Sequence, residues 1–195
     1  MFYYSIHIPD SIADLSGERQ KAIIHFHSHL SDQFSSFRPI PIIQESAVET
    51  AFENYLAISA LIARYTRLVD TAAYDELGAM FEFGEITANR GGEPLRGSGA
   101  IAGFYGRTNK SYGEAGASTL HIVTNLEFDE LAEANATVRS CFVVLQSRPE
   151  LPLQPIVCGR YLDRFARATN GWRYASKHIE VGLIGDLSHH LNISL

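Results

Sequence analysis

The spacing of the apolar residues changes once along this chain, and that change limits the possible fold more than any other feature. In the first half of the chain, apolar residues recur every three or four positions, which is the period of one face of an α-helix. From about residue 119, the chain instead contains long runs rich in β-branched and aromatic residues, which are typical of strands. Helices followed by adjacent long strands predict an α+β fold.

The first half predicts three helices. A capping box, Ser46-Ala47-Val48-Glu49, marks the start of the first helix, because its serine and glutamate side chains can each satisfy a free backbone N–H group. This helix ends near Asp70, a second covers about residues 73–81, and a third begins at Ser98. The first helix has one apolar stripe, formed by Ile58, Leu61, Ile62, Tyr65, Leu68 and Val69.

The second half predicts four strands. Their ranges are Thr119–Phe128, Ala136–Ser147, Ile156–Ala168 and Trp172–Val181. The Asn170-Gly171 pair favours positive φ at both central positions of a turn, which predicts a tight antiparallel hairpin between the last two strands. We expect a curved antiparallel sheet with the helices on one face and an apolar pocket between the two layers.

Size and charge restrict the class of protein. A chain of 195 residues with 46% hydrophobic content can bury one core, and its net charge of −6 disfavours binding to nucleic acid. No apolar stretch approaches the ~20 residues of a membrane-spanning helix, and the N-terminus lacks the pattern of a signal peptide. Cys141 and Cys158 form no disulfide framework. We expect a cytoplasmic protein that binds neither nucleic acid nor membrane.

The N-terminal residues differ in composition from the rest of the chain. We interpret residues 1–45 as an N-terminal extension and residues 46–195 as the folded domain, with Pro39-Ile40-Pro41 as an extended link and a possible helix within residues 17–34. His25, His27 and His29 would share one face of a strand and could bind a metal ion. No nearby cysteine or third-position carboxylate completes such a site, so we favour a surface run.

His121 and Asp70 are the residues best suited to proton transfer. Alternation along the first strand places His121, Val123 and Asn125 on one face, and imidazole titrates near neutral pH. A carboxylate at a helix C-terminus is disfavoured by up to ~1 kcal/mol, and one explanation for Asp70 at this position is a partner imidazole. The alternatives are a core histidine with satisfied nitrogens and a solvated helix end.

Other polar residues have structural as well as functional interpretations. The hydroxyl groups of Tyr65 and Tyr161 could polarise a substrate oxygen, although tyrosines at this spacing are often core residues. Asp163 could pair with Arg139 or Arg160, and we interpret these residues as ion pairs on the sheet surface.

The motifs together resemble SnoaL-like proteins of the nuclear-transport-factor-two-like superfamily. The resemblance covers about residues 46–181 and depends on the order and spacing of many positions. These positions are Ile62, Tyr65, Asp70, Asp75, Leu77 and Phe81, then Gly97, Ile101 and Phe104, then His121-Ile122-Val123-Thr124-Asn125, then Gly159, Arg160, Tyr161 and Asp163, and the turn Gly171-Trp172-Arg173.

The resemblance implies a cone-shaped barrel of curved antiparallel sheet packed on three N-terminal helices. Similar proteins include scytalone dehydratase, hexachlorocyclohexane dehydrochlorinase, bile-acid dehydratase and polyketide cyclases, which use no metal or organic cofactor. Several of them use a His–Asp pair, which falls here on His121 and Asp70 as catalytic residues, with Tyr65 and Tyr161 as substrate-binding candidates. The dehydrochlorinase's lysine ahead of its aspartate is replaced by Tyr65, and the usual acidic pair is here Glu82-Phe83-Gly84-Glu85.

The function implied by this resemblance is a cofactor-independent lyase or isomerase. Its substrate would be a hydrophobic, cyclic small molecule, and the protein would form a homodimer or homotrimer. The alternative is a non-catalytic member of the fold, either a ligand-binding or protein-interaction module or a subunit similar to the β subunit of ring-hydroxylating dioxygenases.

Overall fold

A long helix, α1 (Glu45–Asp70), opens the described part of the chain. The computed structural model describes residues 45–113 and 116–193, with side chains from residue 48 onward. The stripe predicted for this helix faces the core, and Ile58, Ile62 and Tyr65 are at most 2% exposed. The Ser46 side chain of the predicted capping box is not described, and the helix predicted within residues 17–34, the proline link and the histidine run lie outside the described residues. The domain boundary near residue 45 stays a prediction.

The end of α1 is a tight backbone turn. Ala72 has a φ of 57°, and the N–H groups of Ala72 and Ala73 donate to the carbonyl oxygens of Val69 and Leu68 at 3.1 and 2.9 Å. This pattern is a Schellman motif, which normally has glycine at the left-handed position. The next helical carbonyl, that of Asp70, accepts a hydrogen bond from the Ala117 N–H at 2.9 Å. The helix end is thereby joined to the segment that precedes the long strands.

Two shorter helices complete the helical layer of the described chain. They are α2 (Tyr74–Ala79) and α3 (Gly97–Thr108), and their core-facing residues Leu77 and Ile101 are fully buried. Gly78 brings α2 close to the start of α3, since a Cβ atom there would lie 2.4 Å from the Ser98 carbonyl oxygen. Glycine is therefore required at this contact.

The sheet of the described chain has six strands. The strands are β1 (Glu85–Ala88), β2 (Leu95–Arg96), β3 (Thr119–Leu131), β4 (Asn135–Arg148), β5 (Leu151–Ala168) and β6 (Gly171–Ile184). They are ordered β2-β1-β6-β5-β4-β3. The four predicted strands are all present and longer than predicted, and the Asn170-Gly171 turn joins β5 to β6 as an antiparallel pair. The prediction of an α+β fold with helices packed on a curved sheet is confirmed.

Two details of the sheet differ from the prediction. β1 pairs in parallel with β6, so the sheet is mixed, and its four residues were too few for a recognisable strand period. The edge strands β2 and β3 do not pair with each other, so the sheet is curved but open and does not close into a barrel.

A bulge in β3 changes which residues face the helices. The pairing of β3 with β4 shifts between Thr124 and Glu127, and Asn125 lies in the left-handed region with a φ of 54°. Asparagine tolerates this conformation better than most residues. The bulge exposes Asn125 and turns Leu126 toward the core, so the predicted alternation holds for His121 and Val123 but is wrong beyond the bulge.

The surface ion pairs predicted for Asp163 are also wrong. Asp163 is fully buried and pairs with Lys177 of β6, whose Nζ atom lies 3.0 Å from each carboxylate oxygen. Arg139 instead pairs with Asp129 at the surface, at 2.5 Å. Alternation along β5 places Asp163 between Tyr161 and Phe165 on the core face of the sheet, and strand spacing alone did not reveal this partner.

Candidate active site

Asp70 and His121 meet where the end of α1 packs against β3. Their side chains are 51 residues apart in sequence, and His121 Nδ1 lies 2.6 Å from Asp70 Oδ1. The His121 side chain is 8% exposed and that of Asp70 is 14% exposed. The structure therefore brings together the two residues predicted to be catalytic, in a largely dehydrated setting where electrostatic interactions are stronger than in water.

The Asp70 carboxylate is held by further donors on β3. The Thr119 hydroxyl donates to Oδ1 at 2.7 Å, and the backbone N–H of His121 donates to Oδ2 at 3.0 Å. These bonds compensate for the unfavourable position of a carboxylate at a helix C-terminus. Thr119 was not identified from the sequence, although its position two residues before His121 places it on the same strand face.

The hydrogen bond to Asp70 determines the protonation of the His121 ring. A carboxylate only accepts hydrogen bonds, so Nδ1 of His121 carries a proton and the lone pair of a neutral ring is on Nε2. Nε2 can then accept a proton, while Asp70 stabilises the resulting imidazolium. This arrangement is chemically a general base with an orienting carboxylate.

A cavity of about 110 Å³ lies beside His121. Most of its lining residues are aliphatic or aromatic, and three of the four predicted site residues, His121, Tyr65 and Tyr161, are among them. Asp70 is the exception, because it contacts His121 from behind and does not line the cavity. The volume is below the roughly 300 Å³ of a drug-sized pocket, so the cavity in this conformation is suited to a small molecule.

The tyrosines at the cavity are neutral phenols. Burial raises the pKa of Tyr65 and of Tyr161 well above 10, and raises that of Tyr105 to about 12. The hydroxyl groups of Tyr65 and Tyr105 are 2.8 Å apart and share a hydrogen bond. Tyr105 therefore contributes a hydroxyl group to the cavity lining, together with Tyr65.

The buried ion pair lies directly behind two of these tyrosines. Lys177 Nζ is 3.5 Å from the ring centroid of Tyr161 and 4.3 Å from that of Tyr65. Burial lowers the pKa of Lys177 and raises that of Asp163, while their mutual attraction opposes both changes. The aromatic faces replace part of the hydration that the ammonium loses on burial.

The C-terminal residues contribute a second histidine to the cavity. Leu187, His190 and Leu191 line it, and they follow β6 in the segment that we define as the C-terminal segment, residues 185–193. His190 is 7% exposed. No sequence signal marked His190, because it follows the last strand and belongs to no periodic element.

Metal ligation and membrane insertion have no candidate sites among the residues described. Within residues 45–113 and 116–193, no group of three or more His, Cys, Asp and Glu side chains is placed to hold a metal ion. No helix in the same ranges has the length and apolar character needed to cross a membrane.

The curved open sheet and the helices packed on it form the nuclear-transport-factor-two-like fold. The sequence model of the SnoaL-like domain matches residues 50–178. The chain therefore belongs to the SnoaL-like family, as its motifs predicted. No curated protein sequence matches it.

Solved structures share this fold at low sequence identity. A nuclear-transport-factor-two-like protein with a cystatin-like fold from Novosphingobium aromaticivorans is 21% identical, with a TM-score of 0.62, covering 78% of this chain and 96% of its own. A candidate scytalone dehydratase from the same organism is 22% identical, with a TM-score of 0.57 and coverages of 71% and 91%. The β subunit of a candidate aromatic-ring-hydroxylating dioxygenase, also from that organism, is 14% identical, with a TM-score of 0.57 and coverages of 70% and 94%.

Proposed function

We propose that this protein is a cofactor-independent lyase or isomerase that removes a proton from carbon in a small cyclic substrate. The observation that supports this most directly is the 2.6 Å hydrogen bond between His121 and Asp70 beside an apolar cavity. A structural histidine needs only satisfied nitrogens. Here the Asp70 carboxylate, which also accepts hydrogen bonds from the Thr119 hydroxyl and the His121 N–H, holds one side of the His121 ring. The ring also lines the cavity.

The proposed reaction begins with proton transfer to His121. Nε2 takes a proton from the carbon next to a carbonyl or other activating group, and Asp70 stabilises the imidazolium. In an elimination, the electrons of the broken C–H bond form the double bond, and a β leaving group departs with its own bonding pair. The imidazolium then returns its proton to that group. In an isomerisation, the proton returns to a different carbon.

The cavity lining suggests the class of substrate. The phenol of Tyr161, and one of the two hydrogen-bonded phenols of Tyr65 and Tyr105, can donate a hydrogen bond to a carbonyl or leaving-group oxygen. The remaining surface is largely apolar, and a volume of about 110 Å³ favours a molecule the size of a single ring. We infer a hydrophobic monocyclic substrate with an oxygen or halogen substituent.

The test measures proton abstraction directly. The full chain is incubated in D₂O with a panel of single-ring ketones, β-hydroxyketones such as 3-hydroxycyclohexanone, and chlorinated rings. Mass spectrometry detects deuterium uptake, and ultraviolet absorption detects the conjugated enone formed when water is lost. For substrates that react, His121→Ala and Asp70→Asn should each lower kcat by roughly 10²- to 10⁴-fold.

Two controls make the result interpretable. Thr119→Val removes the hydroxyl donor to Asp70 while retaining the shape of the side chain, so its effect on kcat should be smaller than that of Asp70→Asn. Thermal unfolding of each variant checks that the fold is retained. Equal rates for the wild type and a folded His121→Ala variant would refute the proposed base. Binding of ring compounds without any deuterium uptake would favour a non-catalytic role.

We propose an interaction module as the second candidate function, because the opposite face of the sheet has an apolar groove. This groove has a volume of about 490 Å³, and among its lining residues Ile122 is 43% exposed and Leu183 is 73% exposed. Such a face could pair two or three copies of this chain or hold a partner subunit. Light scattering would test self-association, which Leu183→Arg should weaken. A stable assembly combined with an inactive cavity would favour this function.

A further inference from the structure

The cavity contains a second imidazole, that of His190, which the proposed reaction does not use. His190 is 7% exposed, and its Nδ1 atom has no hydrogen-bond partner in the described part of the chain. The described residues therefore leave hydrogen-bonding capacity of this ring unused, and the ring lines the cavity.

The backbone around His190 is firmly attached to the domain. The Lys110 N–H donates to the His190 carbonyl oxygen at 2.8 Å, and the Asn192 N–H donates to the Thr108 carbonyl oxygen at 2.8 Å. The Gln146 side chain donates to the His189 carbonyl oxygen at 3.0 Å. These bonds hold the C-terminal segment in place, so the position of the His190 ring at the cavity is set by the fold.

His190 is uncharged at neutral pH. Burial and the nearby His121 lower its pKa to about 4, although Asp70 acts in the opposite direction. A neutral imidazole has one N–H donor and one lone pair. An unpartnered buried lone pair is tolerated more readily than an unpartnered N–H group, so the unpaired Nδ1 is best assigned the lone pair. The proton then lies on Nε2.

We propose that His190 is a substrate-contacting residue whose Nε2–H group donates a hydrogen bond to an oxygen atom of a small cyclic ligand in the cavity. The inference rests on the proposed function, because it concerns the same cavity, and it assigns the ligand an oxygen substituent on the side of the C-terminal segment. His121 and His190 then have different roles. His121 moves the proton, and His190 orients the ring and discriminates in favour of oxygen-bearing substrates.

The experiment uses two ring compounds that differ in one oxygen, cyclohex-2-enone and cyclohexene. The full chain is labelled with ¹⁵N-histidine, and the His190 ring resonances are assigned from their loss in His190→Leu. We expect an Nε2–H tautomer whose ring nitrogens shift with cyclohex-2-enone and remain unchanged with cyclohexene. This measurement on the wild-type protein does not depend on any variant folding correctly.

Binding measurements provide the matched comparison. His190→Leu should weaken cyclohex-2-enone binding by roughly 3- to 10-fold and leave cyclohexene binding unchanged, as expected for the loss of one hydrogen bond. His189→Leu is the control, because His189 lies on the same segment but does not line the cavity, and it should bind both compounds as the wild type does.

Three results would overturn the inference. These are unchanged His190 resonances at tens of millimolar cyclohex-2-enone, equal cyclohex-2-enone binding by His190→Leu and the wild type, or an equal loss of affinity for both ring compounds. The proposed reaction is judged separately by deuterium uptake in the wild type and in His121→Ala. A ligand contact at His190 without deuterium uptake would therefore refute only the reaction.

Discussion

Breaking the buried ion pair of Lys177 and Asp163 should strongly destabilise the domain. Both side chains are 0% exposed, and Lys177 Nζ lies 3.0 Å from both carboxylate oxygens. In Lys177→Met, the carboxylate keeps its burial and loses its counter-charge. Removing one partner of such a pair costs about 3–5 kcal/mol, because an uncompensated charge remains in a medium that solvates it poorly. For a domain of this size, that loss corresponds to a decrease of roughly 10 °C in Tm.

The pH dependence of this loss has a definite sign. Burial already raises the pKa of Asp163, and the ammonium of Lys177 opposes that rise. Without the lysine the folded-state pKa is higher still, so the folded variant takes up a proton at a pH where the unfolded chain does not. The deficit of Lys177→Met should therefore be largest near pH 8 and should shrink as the pH falls toward 5.

Urea denaturation followed by circular dichroism measures these free energies of unfolding. The double variant Lys177→Met/Asp163→Leu removes both charges, and it should be within about 1 kcal/mol of the wild type or more stable. A deficit below 1 kcal/mol for Lys177→Met at pH 8, or a double variant as unstable as the sum of its single variants, would refute the reasoning. Either result would mean that Asp163 finds solvation that its burial does not indicate.

Two further predictions concern the site. Gly116 has a φ of 57°, and a Cβ atom there would lie 2.4 Å from the Asp70 carbonyl oxygen. Gly116→Ala should therefore move the end of α1 and lower both Tm and the rate of proton exchange. Gly99→Ala is the control, because a Cβ at position 99 meets no atom within 4 Å, and equal effects of the two changes would contradict this. The pKa of His190 falls from 6.5 to about 4 on folding, so the unfolded chain binds the extra proton between these values and stability is lost as the pH falls through them. In denaturant titrations, the free energy of unfolding of the wild type should fall by about 2 kcal/mol more than that of His190→Leu between pH 7.5 and pH 5. The titratable groups that face His190 are His121 and Asp70. Parallel pH profiles for the two proteins would contradict this prediction.

The candidate site was predictable in part, because two of its residues carry local signals. Asp70 stands at a helix end where a carboxylate is unfavourable, and His121 is an imidazole on the inward face of a strand. Their pairing was inferred through the family resemblance, since they are 51 residues apart and spacing alone cannot show that they meet. Thr119 follows from alternation once His121 is chosen. His190 carries no local signal.

The sequence by itself determined the order and type of the main elements, because hydrophobic period and turn residues act over a few neighbouring positions. The stripe of α1, the long strands and the Asn170-Gly171 turn are of this kind. Only the tertiary structure decided the parallel pairing of β1 with β6, the bulge at Asn125 and the partner of Asp163. The reason is that burial and pairing depend on residues distant in sequence. An aspartate on a strand has the same local pattern whether its neighbour is water or the ammonium of Lys177.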